Sequence, residues 1–386
     1  MINNYKFLVK NALKERKVKL NKFSSWDPML LHDGKRWLLY VLTTNEIINQ
    51  DNFFTQDNYI HGFASENLNS WNSWNNLNQI LKRQNMNERV CAGSLIKENG
   101  IIYFFYSYTK EITKEILDQK ILLATSVDGL NFKFVPEFSL LPDEIIYATN
   151  CKDPETGKMV FAWRDPYIFK DPKSDKYFLF ICAGGDRWGI PPQVPVAVAD
   201  SVAGTYKLLP SATKLEVNIN NKLHIPFKEI ERVQVIYYQD KYYMFFHCWK
   251  CYVSQEFITL CENMGYQVTN STIYVLYSED IIGPYKIDLQ RPIVIGSERT
   301  RLYGTFFIPS SESKEEYFVT GWYHGKFKIE VSKKFRLLFK EGNWQVLHNY
   351  RYIMTFNYFM YTVTNFVNIY CKKIFQKFKN KFNKIN

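Results

Sequence analysis

This chain predicts an all-β fold, a five-bladed β-propeller with a short N-terminal helical leader and a C-terminal amphipathic helix. Three observations carry that expectation. Aromatic strands that follow a polar turn recur at Trp37, Tyr103, Tyr177, Tyr242 and Tyr317, at intervals of roughly 65 to 75 residues. A second element recurs downstream of the first four: HGFASENLNSW, ILLATSVDGLNF, VPVAVADSVAGTY and IYVLYSEDIIGPY, each an apolar strand, Ser or Asp, a turn and an aromatic residue. Helical periodicity is scarce between about Ser24 and about His348. Units of about four short strands, too long for one hairpin and too regular for a sandwich, predict one blade each.

The elements follow in order. Residues 1–23 alternate Lys and Arg with single apolar residues, which makes a basic, helix-prone leader without an apolar stretch of signal-peptide length. Residues 24–349 form the propeller. Its turns HDGK, KENG, DPKSDK, YQDK and SESKEE carry the residues that tight hairpins favour. The fifth copy of the second element is degenerate, as a closing blade can be. Residues 350–386 form the tail, where Phe356, Phe359, Met360, Val363, Phe366, Val367, Tyr370, Ile374, Phe378 and Phe382 follow a three-and-four spacing. Lys372, Lys373, Lys377, Lys379, Lys381 and Lys384 crowd its last third. Such a helix suits an anionic membrane surface or an assembly partner through residues 356–386; the competing expectation packs it across the propeller. No segment reaches the roughly 18 uninterrupted apolar residues of a spanning helix. The chain is therefore expected in the cytoplasm, peripheral to the inner membrane.

Composition excludes several classes. The 386 residues are 46% hydrophobic and 17% aromatic, which suits a large packed core and excludes disorder. The net charge of +11 is concentrated at the two ends, so no nucleic-acid groove is expected. Seven cysteines, an odd number scattered mostly through strand-like runs, read as reduced buried thiols. Cys248 and Cys251 have CxxC spacing beside His247, but a single pair is a weak zinc signal. There is no P-loop, no GxGxxG after a strand, no GxSxG elbow and no EF-hand spacing. No cofactor and no metal are expected.

Three acidic residues, Asp27, Asp165 and Glu231, each lie ten to twelve residues ahead of an aromatic strand, in SSWDPMLLHDGKRWLLYV, FAWRDPYIFKDPKSDKYFLFI and EIERVQVIYYQDKYYMFF. If the units repeat in space, equivalent positions converge and the three carboxylates meet at one end of the channel. Folding alone does not select such a repulsive cluster, whereas catalysis does. Two carboxyl groups suffice to cleave a glycosidic bond, and a third can hold sugar hydroxyls and raise the pKa of the acid. A carbohydrate substrate follows. Blades two and five offer Ala92-Gly93-Ser94 and Tyr303-Gly304-Thr305 at about the same place, small or neutral. Arg164 and Arg232 are placed to orient the carboxylates beside them and to reach sugar hydroxyls. Trp26, Trp163, Trp188, Trp249 and Trp322 are candidate sugar platforms, and His247 is a further substrate-binding candidate.

With WDP, WRDP and ER in that order on repeated blades, residues 24–348 resemble the five-bladed propeller glycosidases that act on furanosides, the families of invertases, levansucrases and arabinanases. Arg164-Asp165-Pro166 is similar to the signature of the fructoside-active members, Glu231-Arg232 to the levansucrase acid/base segment, and Ala92-Gly93-Ser94 to a pocket-lining Ser-Gly-Ser. The resemblance implies Asp27 as nucleophile, Asp165 as transition-state stabiliser and Glu231 as general acid/base. It implies a retaining hydrolase or fructosyltransferase acting on β-fructofuranosyl units. The lack of an export-signal pattern, the amphipathic tail and the altered substrate-facing motifs suit transfer to a surface glycan, and equally a cytoplasmic hydrolase of imported oligosaccharides. The sequence departs from the pattern at Trp26-Asp27-Pro28-Met29, at Val233 in place of Pro, and at Val90-Cys91, where a Trp is usual. Sucrose is thereby put in doubt as donor. Two rival readings remain open: an inverting glycosidase of the arabinofuranosidase or xylosidase type, and a non-catalytic glycan-binding propeller.

Overall fold

The computed structural model describes residues 24–44, 59–65, 75–81, 88–113, 116–143, 162–184, 191–310, 316–323, 330–332 and 334–347. The expected leader and C-terminal helix lie outside these residues, as do Trp188 and most of the SESKEE turn. Of the two compact units into which the chain divides, Met1–Val346 and Leu347–Asn386, the first carries the propeller.

Five antiparallel sheets make the five blades. Blade I is β1 (Ser25–His32), β2 (Trp37–Thr43), β3 (Tyr59–Ser65) and β4 (Asn75–Leu81). Blade II is β5 (Glu88–Glu98), β6 (Ile101–Thr113), β7 (Ile116–Ser126) and β8 (Lys133–Leu140). Blade III is β9 (Trp163–Lys170), β10 (Tyr177–Ala183), β11 (Val196–Ala199) and β12 (Lys207–Leu209). Three short strands follow, β13 (Thr213–Lys214), β14 (Val217–Ile219) and β15 (Lys222–His224). Blade IV is β16 (Glu231–Tyr238), β17 (Lys241–His247), β18 (Ile273–Ser278) and β19 (Tyr285–Ile287), with β13 added in parallel on its outer edge. Between β17 and β18 lies α1 (Gln255–Asn263), capped by Ser254, whose hydroxyl accepts from the Phe257 N–H. Blade V is β20 (Leu302–Pro309), β21 (Glu316–Tyr323), β23 (Phe335–Lys340) and β24 (Asn343–Leu347), with β22 (Glu330–Val331) beside β21.

The repeats of the sequence account for this order. The aromatic strands are the second strands of the blades, and the expected turns join them to the innermost strands. Asn99–Gly100 and Gln239–Asp240 both have positive φ, the conformation a two-residue hairpin of matching twist requires. The Asp33 side chain accepts from the Lys35 and Arg36 N–H groups at the β1–β2 turn. In the blade III and IV copies of the second recurring element the closing aromatic residue locks its own turn: the Tyr206 hydroxyl donates to the Val202 carbonyl and Tyr285 to the Ile281 carbonyl, four residues back in each case. Apolar faces pack blade against blade. One cluster joins blades V, I and II, and others fill the II/III, III/IV and IV/V seams. Burying a large side chain in such a seam contributes about 1.5–3 kcal/mol, and Trp163, Phe105, Phe180 and Phe245 are fully buried there. No helix among the described residues is long and apolar enough to cross a membrane.

Candidate active site

Every innermost strand carries a bulge at the same place. Two residues oppose one at Asp27-Pro28 in β1, Cys91-Ala92 in β5, Asp165-Pro166 in β9, Arg232-Val233 in β16 and Gly304-Thr305 in β20. The first bulged residue has positive φ in four of the five: 46° at Asp27, 54° at Asp165, 56° at Arg232 and 53° at Gly304. Non-glycine residues held there cost about 1–3 kcal/mol each, and such strain collects where side chains must be re-aimed. The bulges correct one expectation from the repeats. Glu231 is not equivalent to Asp27 and Asp165. It precedes its bulge and is level with Trp26, Val90, Arg164 and Tyr303, whereas Arg232 occupies the position of the two aspartates.

Two rings of side chains follow from this phase. In the upper ring, blades III, IV and V form one chain of hydrogen bonds: Arg164 Nη2 donates to Glu231 Oε1 at 2.6 Å and the Tyr303 hydroxyl donates to Oε2 at 2.5 Å. In the lower ring, Asp165 Oδ2 accepts from the Arg232 N–H at 3.1 Å, and Asp27 Oδ1 accepts from Trp322 Nε1 at 3.0 Å. The Arg232 guanidinium passes beneath, donating to the Pro28 carbonyl at 2.9 Å and to the Gly93 carbonyl at 3.5 Å, and so ties blades I, II and IV together. Its Nε has no hydrogen-bond partner among the described residues.

The three carboxylates feel one another. Burial and the charges of Asp165 and Glu231 push the Asp27 carboxyl up to about 7, against the pull of Arg232 and the Trp322 hydrogen bond. Burial also raises Asp165, with Arg232 and Arg164 opposing. Burial disfavours the charged form of Arg164, but Glu231 and Asp165 overcome it and hold the guanidinium cationic. Two guanidiniums face these three carboxylates, and Glu229 also acts on Arg164, so the cluster carries excess negative charge that burial and mutual repulsion favour relieving by taking up a proton. A glycosidase needs that stock: one carboxyl protonated, another ionised. Among the described residues no group of three His, Cys, Asp or Glu is placed to hold a metal ion.

The other candidates divide. Tyr303 and Arg164 touch Glu231 directly, and Trp249 stacks on Tyr303 at 4.0 Å and meets Trp322 edge-on at 6.2 Å. His247, paired with Glu231 across the sheet, is fully buried with Nε2 at 2.8 Å from Thr305 Oγ1. Ser94 is buried between blades: its hydroxyl donates to the Pro166 carbonyl at 2.8 Å and accepts from the Ile168 N–H at 2.7 Å. It pins β9 on β5. Trp26 and Trp163 lie in the seams, 4% and 0% exposed, and Trp163 donates to the Leu140 carbonyl, so both are packing residues rather than platforms. Cys248 is buried and Cys251 exposed, and neither is in a disulfide.

Some contributors escaped the sequence. Ser107 accepts from the Asp165 N–H at 2.8 Å while donating to the Ala92 carbonyl at 2.8 Å. Gln234 clasps blade V with both ends of its amide, donating to the Thr305 carbonyl and accepting from the Phe307 N–H. Trp322 stood among the sugar platforms, yet its indole serves a carboxylate. The one signal that could have found Ser107 and Gln234 is a polar residue at a strand position that the apolar alternation reserves for the seam.

No protein-family profile and no curated protein sequence matches the chain. Solved structures do. The inulosucrase of Halalkalicoccus jeotgali bound to kestose is 16% identical, with a TM-score of 0.62 over 86% of this chain and 91% of that one. The levansucrase of Bacillus subtilis is 15% identical, with a TM-score of 0.60 over 88% of this chain and 89% of that one. A β-fructofuranosidase of Bombyx mori in complex with sucrose is 12% identical, with a TM-score of 0.58 over 90% of this chain and 69% of that one. At these identities the likeness is one of architecture: this chain has the five-bladed β-propeller fold that those proteins share.

Proposed function

We propose that this propeller is a retaining glycosidase or transglycosylase acting on β-fructofuranosyl units. The observation that carries the reading is the pair of differently held carboxylates: Glu231, gripped by Arg164 and Tyr303, and Asp27, gripped at one oxygen by Trp322. The inulosucrase, levansucrase and fructofuranosidase neighbours of the same fold support it.

In the first step an Asp27 oxygen attacks the anomeric carbon, the bond to the leaving oxygen breaks, and Glu231 supplies the proton that oxygen takes up. Asp165 remains ionised, stabilises the positive charge that develops on the ring and accepts hydrogen bonds from its hydroxyls. In the second step Glu231 takes a proton from water or a sugar hydroxyl, whose oxygen displaces Asp27. Arg164 stays beside Glu231 throughout and stabilises it whenever it is ionised. The proposed acceptor is the hydroxyl of a surface glycan. The amphipathic spacing of residues 356–386 supports a cytoplasmic enzyme docked on an anionic membrane surface or an assembly partner. Substituting the tail lysines by Gln in the full chain should then release it from anionic vesicles.

The test is an NMR time course with sucrose and short β-fructosides, with and without glycan acceptors, beside Glu231→Gln. Free fructose that disappears in the variant establishes a fructosidase, and a new β-linked fructosyl signal that needs acceptor establishes a transferase. Silence with every donor overturns the reading.

A further inference from the structure

Blade V contributes no carboxylate, yet it touches both working ones. Tyr303 and Trp322 are cross-strand partners in the β20–β21 register, with ring centroids 5.6 Å apart. The hydroxyl of the first reaches Glu231 and the indole N–H of the second reaches Asp27. Trp249 from blade IV braces the pair, stacked on Tyr303 with an interplanar angle of 15°. Trp322 is 3% exposed, so its ring has no freedom to follow a moving carboxylate.

Gly304 makes the arrangement possible. A Cβ at this position would lie 2.4 Å from Asp27 Oδ1 and 2.6 Å from Trp322 Nε1, inside the hydrogen bond itself. Its φ of 53° also favours a residue without a side chain. Blade V therefore has a glycine where three other blades have Asp, Asp and Arg, and the space it leaves is taken by a bond between blades.

We propose that the Tyr303–Trp322 pair, braced by Trp249 and admitted by Gly304, is a rigid spacer that sets the gap between Glu231 and Asp27, with Trp322 as the positioning residue for the nucleophile. The spacer deepens the glycosidase reading, because carboxylate separation decides whether the anomeric configuration is retained. Trp322 binds one oxygen of Asp27, which leaves the other to attack. Its N–H also favours the ionised carboxylate, the form that attacks.

The experiment has an arm that needs no turnover. In the full-length protein labelled with ¹⁵N at the Trp indoles, one of the nine indole N–H signals should shift with pH around neutrality, and that titration should vanish in Asp27→Asn. In Trp322→Phe, which keeps an aromatic ring and removes the donor, the titration of Asp27 should move upward, read from the pH dependence of the stability difference between this variant and its Asp27→Asn partner. Gly304→Ala should move it in the same direction with both groups still present. Where the glycosidase reading holds, the acid limb of the rate profile should rise with it in both variants, and kcat should fall about 10- to 100-fold with KM within about twofold. An indole spectrum in which no signal follows Asp27, or an Asp27 titration unmoved in Trp322→Phe, overturns the spacer whether or not the protein turns over a fructoside. A clean titration without turnover leaves the spacer standing and counts against the glycosidase reading.

Discussion

Blades II and V both bring neutral residues to the rings, and they serve the site in opposite ways. Blade V reaches the carboxylates with side chains, Tyr303 to Glu231 and Trp322 to Asp27. Blade II reaches their backbone: Ser107 takes the Asp165 N–H, and Ser94 takes the Ile168 N–H and the Pro166 carbonyl. Its own ring positions hold Val90 and Cys91, and Cys91 alone among the five first bulged residues is absent from the positive-φ conformation. Its hairpin also runs further, with β6 and β7 paired out to Thr113 and Ile116, well beyond the bulge at Val90. The lesson is that the carboxylates are held by their side chains from one side of the site and by their backbone from the other.

The contrast can be broken in order of expected effect. Asp27→Asn should lower turnover by about 10⁴-fold or more while the fold persists. Its stability has a definite sign. The folded carboxyl sits at about 7 against 3.8 for the free side chain, so the native state binds more protons between those values and wild type loses stability as pH rises through that window. Asp27→Asn should therefore be more stable than wild type at pH 8, by up to about 4 kcal/mol, and melt higher, and the gap should close by pH 4. A lower melting temperature at pH 8 would make Asp27 a structural residue.

Tyr303→Phe should lower kcat about 10- to 100-fold with KM little changed, since it removes the donor on Glu231 Oε2 without opening a cavity. Ser107→Ala leaves the buried Asp165 N–H without its acceptor and should cost about 1–3 kcal/mol in denaturant unfolding. Its effect on kcat should exceed what the lost stability alone implies, because Asp165 is free to drift. Smallest is Cys91→Ser, expected to stay within about twofold of wild-type kcat. Burial pushes the Cys91 thiol up to about 11, so the wild-type residue should also resist alkylation at neutral pH.

Much of the molecule was legible beforehand. Turns such as KENG and YQDK and the aromatic strands after them mark where chains reverse, which is local chemistry, and the blades follow. The short helix Gln255–Asn263 was missed because nine residues inside a strand-rich unit leave too little periodicity to see. The three acids were legible as a group, but the phase of Glu231 was not. A bulge inserts one residue opposite its partner strand without altering the spacing of the repeat, so period alone aligned Glu231 with the aspartates when Arg232 belongs there.

By itself, then, the sequence determined the number of blades, the strands that face the channel and the residue types that meet at its mouth, since alternation, turn chemistry and repetition act over a few residues. Closure of the ring decided the rest. Asp27 and Trp322 are 295 positions apart and become partners only when blade V docks on blade I, and whether Trp26 and Trp163 line a site or fill a seam depends on which blade lies against them. Those contacts couple elements from different repeats, and their energies exist only once the whole propeller has formed.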